Sequence, residues 1–123
     1  MQDKEVINIL QNQLHFSSKS IATLNTFVDA LISANKKHNF ISKNTESDIW
    51  HRHILDSAQL VKFVDFSKGS LSDLGSGAGF PGLIIAILTK DRKIPLKIKL
   101  LEKSSKKAKF LENLIDELNL DVE

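Results

Sequence analysis

Ten residues near the middle of the chain, Asp73-Leu74-Gly75-Ser76-Gly77-Ala78-Gly79-Phe80-Pro81-Gly82, constrain its fold more than any other stretch. Glycines alternate at 75, 77 and 79. A backbone without Cβ atoms can turn through positive φ and let a ligand come close to its amides. Ser70 to Leu74, ahead of the glycines, is too short for a helix and reads as a strand. Pro81, behind them, suits the first turn of a helix that the apolar residues carry to Leu88 or Thr89. The order strand, glycine turn, helix aims free helix-start N–H groups at the polar or anionic part of a ligand.

The rest of the chain supplies a frame for that turn. Val6, Ile9, Leu10 and Leu14 form one helical stripe, interrupted by Ser17-Ser18. Ile21, Leu24, Phe27, Val28, Leu31 and Ile32 form a second, which ends in the polar run Asn35 to Asn39. Thr45 ahead of Glu46 and Asp48 predicts another helix start, with its acids at the positive end of the dipole. Ile49, Trp50, Ile54, Leu60, Val61 and Val64 continue at helical spacing, with a break near Ser57. Leu96 to Leu101 alternates and then becomes continuously apolar, the pattern of a strand entering a buried sheet. Ser104 or Ser105 caps a last helix, in which Ala108, Leu111, Leu114, Ile115 and Leu118 share a face. Asn119 closes that helix, and Leu120 to Glu123 reads as the approach to a further strand.

With 123 residues, 41% of them hydrophobic, the chain supports one packed core and not two. The expected class is α/β: N-terminal helices over 1–66, then the first β-α-β-α part of a Rossmann-like sheet over 67–123, incomplete. Its two strands would be parallel and joined by a right-handed crossover.

Glu102 falls at the carboxyl end of the second strand, beside the glycine turn. A carboxylate there can accept both hydroxyl hydrogens of a ribose, so turn and acid together point to a nucleoside-containing cofactor. The plainer alternative is a tight turn with a strand-end acid beside it. Gly77, Gly79 and Gly82 also satisfy G-x-G-x-x-G, and Gly82 to Glu102 is 20 residues, so a nicotinamide or flavin dinucleotide fits formally. Against a dinucleotide stands the helical segment that precedes the first strand. Asp73, two residues before Gly75, suits a cationic or amine-bearing ligand such as S-adenosylmethionine better than a pyrophosphate. No G-K-[ST] follows the turn, which argues against a phosphate-binding loop of the nucleotide hydrolase type.

These residues resemble the first motif of class I S-adenosylmethionine-dependent methyltransferases. The Phe80-Pro81-Gly82 ending narrows the likeness to the bacterial small-subunit ribosomal RNA methyltransferase G family, also called glucose-inhibited division protein B. Asn39-Phe40-Ile41-Ser42 resembles that family's Asn-Leu-Thr-type segment, and Arg52-His53-Ile54-Leu55-Asp56-Ser57 its Arg-His-x-x-Asp-Ser stretch. Leu100-Leu101-Glu102 with Lys106-Lys107-Ala108-Lys109-Phe110-Leu111 resembles its second strand and following helix. The likeness runs from about Phe27 onward.

The resemblance implies methylation of guanosine N7 in 16S ribosomal RNA, with S-adenosylmethionine as donor and the RNA or small ribosomal subunit as partner. It carries donor contacts onto Gly75 and Phe80, leaves Gly77 and Gly79 to shape the turn, and sets Glu102 toward the ribose. No catalytic base is evident, and guanine N7, which has no proton to lose, requires none; alignment alone can supply much of the rate. The resemblance also implies that relatives continue well past Glu123, with this sequence matching roughly their first three-fifths. Taken alone, the second strand would keep an open edge and the sheet an uncovered apolar flank, an aggregation hazard. The expectation is therefore a chain that is inactive and poorly stable by itself.

Charge and the remaining candidates add detail. Nine basic residues lie between Lys90 and Lys109 against Asp91 and Glu102, whereas Phe110 to Glu123 holds five acids and no base. Lys103, Lys106 and Lys107 share a face of the last helix and, with Arg52, are the candidate RNA contacts; a solvated face is the plainer alternative. Arg52 and Asp56, four apart, suit a surface ion pair. His51 and His53 are two apart on a helix with no third ligand, so no metal site is expected. Trp50 reads as core. The absence of cysteine excludes disulfides and thiolate sites. Leu83 to Leu88 is far shorter than the roughly 20 residues of a membrane span, and no secretory signal is visible, so a cytoplasmic location is expected.

Overall fold

The computed structural model describes residues 2–65, 67, 69–74, 78–120 and 122. Helix α1 (Asp3–Asn12) begins with Asp3 and Glu5 in its first turn, where acids favour the helix dipole, and buries Val6 and Leu10. The chain leaves it through His15, at φ 63°, which turns Leu14 and Phe16 back into the core. Ser17 caps α2 (Ser18–Asn35), its hydroxyl accepting the Ser20 N–H at 3.1 Å. The predicted stripe of α2 is buried from Ile21 through Leu31, except that Ile32 is only half-buried.

The next turn differs from expectation. Ser42, not Thr45, caps the short α3 (Lys43–Glu46), accepting the Thr45 N–H at 3.3 Å. Thr45 lies inside the turn, its hydroxyl donating to the Ser42 carbonyl. A π-helical turn over Trp50–Leu55 follows and runs into α4 (Asp56–Gln59) and a 3₁₀ turn (Leu60–Phe63). There is no break at Ser57. Buried residues occur here as Ile49 with Ile54 and Trp50 with Leu55, pairs five apart that match the wider π turn. Trp50 is core, as read. Leu60 is not: it stays 45% exposed.

Strand β1 (Ser70–Leu74) pairs in parallel with β2 (Lys97–Leu101), from Ser70 beside Lys97 to Leu74 beside Leu101. Between them α5 (Gly82–Asp91) starts one residue later than read, with Pro81 in the capping place. Every residue of α5 from Gly82 to Thr89 is buried, so this helix is the centre of the core, against α2, α4 and both strands. Lys97 and Lys99 face solvent while Ile98 points inward. Ser104 caps α6 (Ser105–Glu117), accepting the Lys107 N–H at 3.4 Å. Asn119, at φ 53°, turns the chain back, and Val122 forms a parallel bridge to Ile98.

That bridge corrects the expectation of an open edge on β2. β2 lies between β1 and Val122. Among the described residues it is β1 that pairs on one side only. Beside it runs a groove of about 390 Å³, lined by Leu60, Phe63, Leu71, Pro81 and Ile85 among others, with Phe63 83% exposed. The uncovered apolar flank is on the first strand.

Helical and sheet segments share one apolar core that runs from Val6 to Leu120. A second tie is polar: the Arg92 guanidinium donates to the carbonyls of Leu14 at 3.2 Å and His15 at 3.0 Å. No helix among the described residues is long and apolar enough to cross a membrane.

Candidate functional site

The register fixes the geometry of the site. Because Leu74 and Leu101 are partners, the strand leading to the glycines and the strand leading to Glu102 finish side by side. Gly75, Ser76 and Gly77 lie outside the described residues, so the site is described through its flanks.

Asp73 sits near the end of β1 with its carboxylate Oδ2 accepting the Gly82 N–H at 3.1 Å. That bond orients the acid against the start of α5, where the helix dipole favours negative charge. Glu102, one residue past β2, accepts the Ser104 N–H at 2.8 Å through Oε2. The start of α6 thus steers the second carboxylate as the start of α5 steers the first.

Gly79 and Gly82 are bare because of protein, not solvent. Gly79 has φ 106°, and a Cβ on it would lie 2.7 Å from Leu83 Cδ1 and 3.2 Å from Leu111 Cδ2. A Cβ on Gly82 would run into Leu100 Cδ2 and approach Asp73 Oδ2 to 2.9 Å. At 79 the conformation and the packing both demand glycine. At 82 close approach of helix to strand does, the role that the third glycine of such a turn serves.

Phe80 is held from two sides. Phe27 of α2 meets it edge-on with centroids 5.4 Å apart, and His53 of the π turn stacks on it at 5.0 Å and 23°. Burial pushes the His53 imidazole below its ordinary pKa; Asp56 opposes this and Arg52 adds to it. His53 Nε2 is a buried atom without a hydrogen-bond partner among the described residues. Sequence reasoning did not pick out this ring assembly, because Phe27, His53 and Phe80 are brought together only by tertiary packing. The five-residue spacing of buried positions around His53 was the one signal available.

A second arrangement absent from the sequence reading centres on Asn35, buried at the end of α2. Its Oδ1 accepts the N–H groups of Phe40 at 2.8 Å and Ile41 at 3.0 Å, and its Nδ2 donates to Glu46 Oε2 at 2.5 Å. The Asn39-Phe40-Ile41-Ser42 segment is thereby pinned to α2.

The candidate RNA contacts divide. Arg52 is exposed and its Nε lies 3.7 Å from Asp48, one turn earlier, rather than pairing with Asp56. His51 turns to the same Asp48 at 3.4 Å, so the two histidines diverge. Lys103, Lys106 and Lys107 do not form one face: Lys103 stands ahead of the helix, and Lys106 and Lys109 line a cleft against α2 that Lys107 does not reach.

Comparison with known proteins agrees with this layout. The family model described as rRNA small subunit methyltransferase G (GidB) matches residues 20–123. A ribosomal RNA small subunit methyltransferase G of Pelagibacter ubique is 39% identical over 117 residues, covering 94% of this chain and 54% of that protein. The protein of the same name from Cereibacter sphaeroides is 39% identical over 108 residues, covering 88% and 52%. That from Novosphingobium aromaticivorans is 42% identical over 89 residues, covering 71% and 39%. The chain spans about half the length of the curated relatives it matches. With the parallel strands, the buried helix between them and the second-strand acid in place, and most of its length matched, the chain belongs to the rRNA small subunit methyltransferase G (GidB) family.

Proposed function

We propose that this chain carries the donor-binding part of an S-adenosylmethionine-dependent enzyme that methylates guanosine N7 in 16S ribosomal RNA. Residues 67–123 are read as the first part of the donor-binding unit and 1–66 as the helical segment that packs on it, with a cytoplasmic location. The observation that carries the reading is the side-by-side finish of β1 and β2, which brings Asp73 near the end of one strand and Glu102 just past the end of the other into the same region. Two carboxylates steered by backbone N–H groups suit a ligand that offers an amino group and a ribose diol. S-adenosylmethionine, when bound, supplies a methyl group on a sulfonium centre.

The residues of this chain bind and orient. Glu102 accepts the ribose hydroxyls, Asp73 stands toward the cationic part, and Gly75 with Gly77 lets the donor approach the backbone. Gly79 gives the turn its shape, and Phe80, clamped by Phe27 and His53, forms an apolar wall that keeps water from the reacting centre. No side chain moves a proton, since N7 presents a lone pair; the gain comes from alignment. Arg52, Lys103, Lys106 and Lys107 are among the positive charges that would meet phosphate.

Calorimetric titration tests the reading. The chain is expected to release heat with S-adenosylmethionine, to lose at least about tenfold in affinity on Glu102→Ala as a charge-assisted bond is removed, and to ignore NAD. Tight binding of NAD without binding of the methyl donor would overturn it. The isolated chain is expected to transfer no methyl group to small ribosomal subunits.

A further inference from the structure

A concave surface among the described residues is lined by none of residues 78–82. A cleft of about 610 Å³ opens between the end of α2 and the outer face of α6. That is within the roughly 300–1,000 Å³ typical of small-ligand sites. Its floor is aromatic: His38 stacks on Phe40 at 5.7 Å and 23°, and Phe40 meets Phe110 at 5.1 Å. Its rim is basic, with exposed Lys37 on one wall and exposed Lys106 and Lys109 on the other, against Glu117 alone. Asn35 fixes the Phe40 wall through two backbone bonds, so the floor is preformed.

The same helix joins this cleft to the candidate donor site. On α6, Lys106, Lys109 and Phe110 line the cleft, while Leu111 packs toward Gly79. Ser104, which caps α6, also orients Glu102.

We propose that this cleft binds single-stranded RNA: an unpaired base stacks against the His38–Phe40–Phe110 floor, and its flanking phosphates meet Lys37, Lys106 and Lys109. Stacking on aromatic side chains between positive charges is the general way in which proteins hold unpaired nucleotides. The proposal rests on the reading of the chain as part of an RNA-modifying enzyme and names where the RNA beside the target would lie. Three lysine–phosphate contacts predict a logarithmic salt slope of about −2 for a single strand.

Fluorescence anisotropy of the whole chain with labelled oligoadenylate and with duplex RNA tests it. Binding of the single strand is expected to exceed that of the duplex. Lys37→Glu with Lys109→Glu, both on exposed positions, should weaken it at least tenfold and reduce the salt slope. His38→Ala should weaken it about fivefold or more, and His38→Phe should restore it. Photocrosslinks from 4-thiouridine oligomers should fall on residues 37–40 and 105–113. No single-strand binding, binding unchanged by the lysine pair, crosslinks elsewhere, or equal affinity for polyglutamate as an acidic protein surrogate would each overturn the proposal. Calorimetry with S-adenosylmethionine on the same variants separates the two readings. Donor binding intact with RNA binding indifferent to the cleft removes only the cleft; RNA bound in the cleft by a chain that ignores the donor removes the donor reading.

Discussion

Beyond α5, which is buried from Gly82 to Thr89, the two flanks of the core differ. Toward α2 and α4 the helix is sealed: Leu83, Ile84 and Leu88 are fully buried, and Arg92 at its end bonds to two carbonyls of the N-terminal segment. Toward the outer edge of β1 the apolar surface runs on past Ile85 and Pro81 to an exposed Phe63 and Leu60. The residues on both sides are equally hydrophobic. Burial depends on what packs against them, so hydrophobicity in the sequence located the core but could not say which flank was closed.

Substitutions test that contrast. Leu88→Ala, on the sealed side, should cost about 3–5 kcal/mol in chemical denaturation, from lost burial and the cavity left behind. A loss below 1 kcal/mol would mean that α5 is not the centre of the core. Gly82→Val, where helix meets strand, should cost about 2–3 kcal/mol, because even a Cβ meets Leu100 and Asp73 there. Ser17→Ala and Ser104→Ala should each cost about 1 kcal/mol by freeing a helix-start N–H, and a melting shift in either checks it. On the open flank, Phe63→Ser should change stability by less than about 0.5 kcal/mol while raising the concentration at which the chain stays monomeric in light scattering.

His53 adds a pH axis to the same comparison. Its imidazole is held below its ordinary value of 6.5 by burial, so the unfolded chain takes up this proton before the folded chain does. Stability should therefore fall as pH drops below about 6.5, down to the depressed folded value. His53→Phe, which keeps the stack on Phe80, should flatten that part of the profile. Denaturant midpoints measured between pH 5 and 8 decide it.

Local chemistry in this chain was readable and tertiary geometry was not. Ser104 stands at the helix start its hydroxyl suggested, the Ser17-Ser18 interruption falls between α1 and α2, and the β1 segment begins and ends where its length and the glycines placed it. Thr45 misled because Ser42, three residues earlier, offers the same hydroxyl to the first free N–H groups. The π turn at Trp50–Leu55 escaped a search for a 3.6-residue period, although its buried pairs sit five apart. At the candidate site the two carboxylates followed from strand order, whereas the Phe27–Phe80–His53 clamp joins three segments and has no local signature. The lysines of α6 were visible as a run of charge, but only the packing of α2 divides Lys106 from Lys107.

The bond from Arg92 to Leu14 spans 78 positions of chain, and that separation sets an order of events during synthesis. A ribosome adding about 5–20 residues per second makes Arg92 roughly 4–16 s after Leu14. Through that interval α1 and α2 have neither this anchor nor the α5 surface on which α2 rests. The helical segment must then wait, exposed, for its partner to emerge, which makes the nascent chain between those two moments the form that holding chaperones would meet.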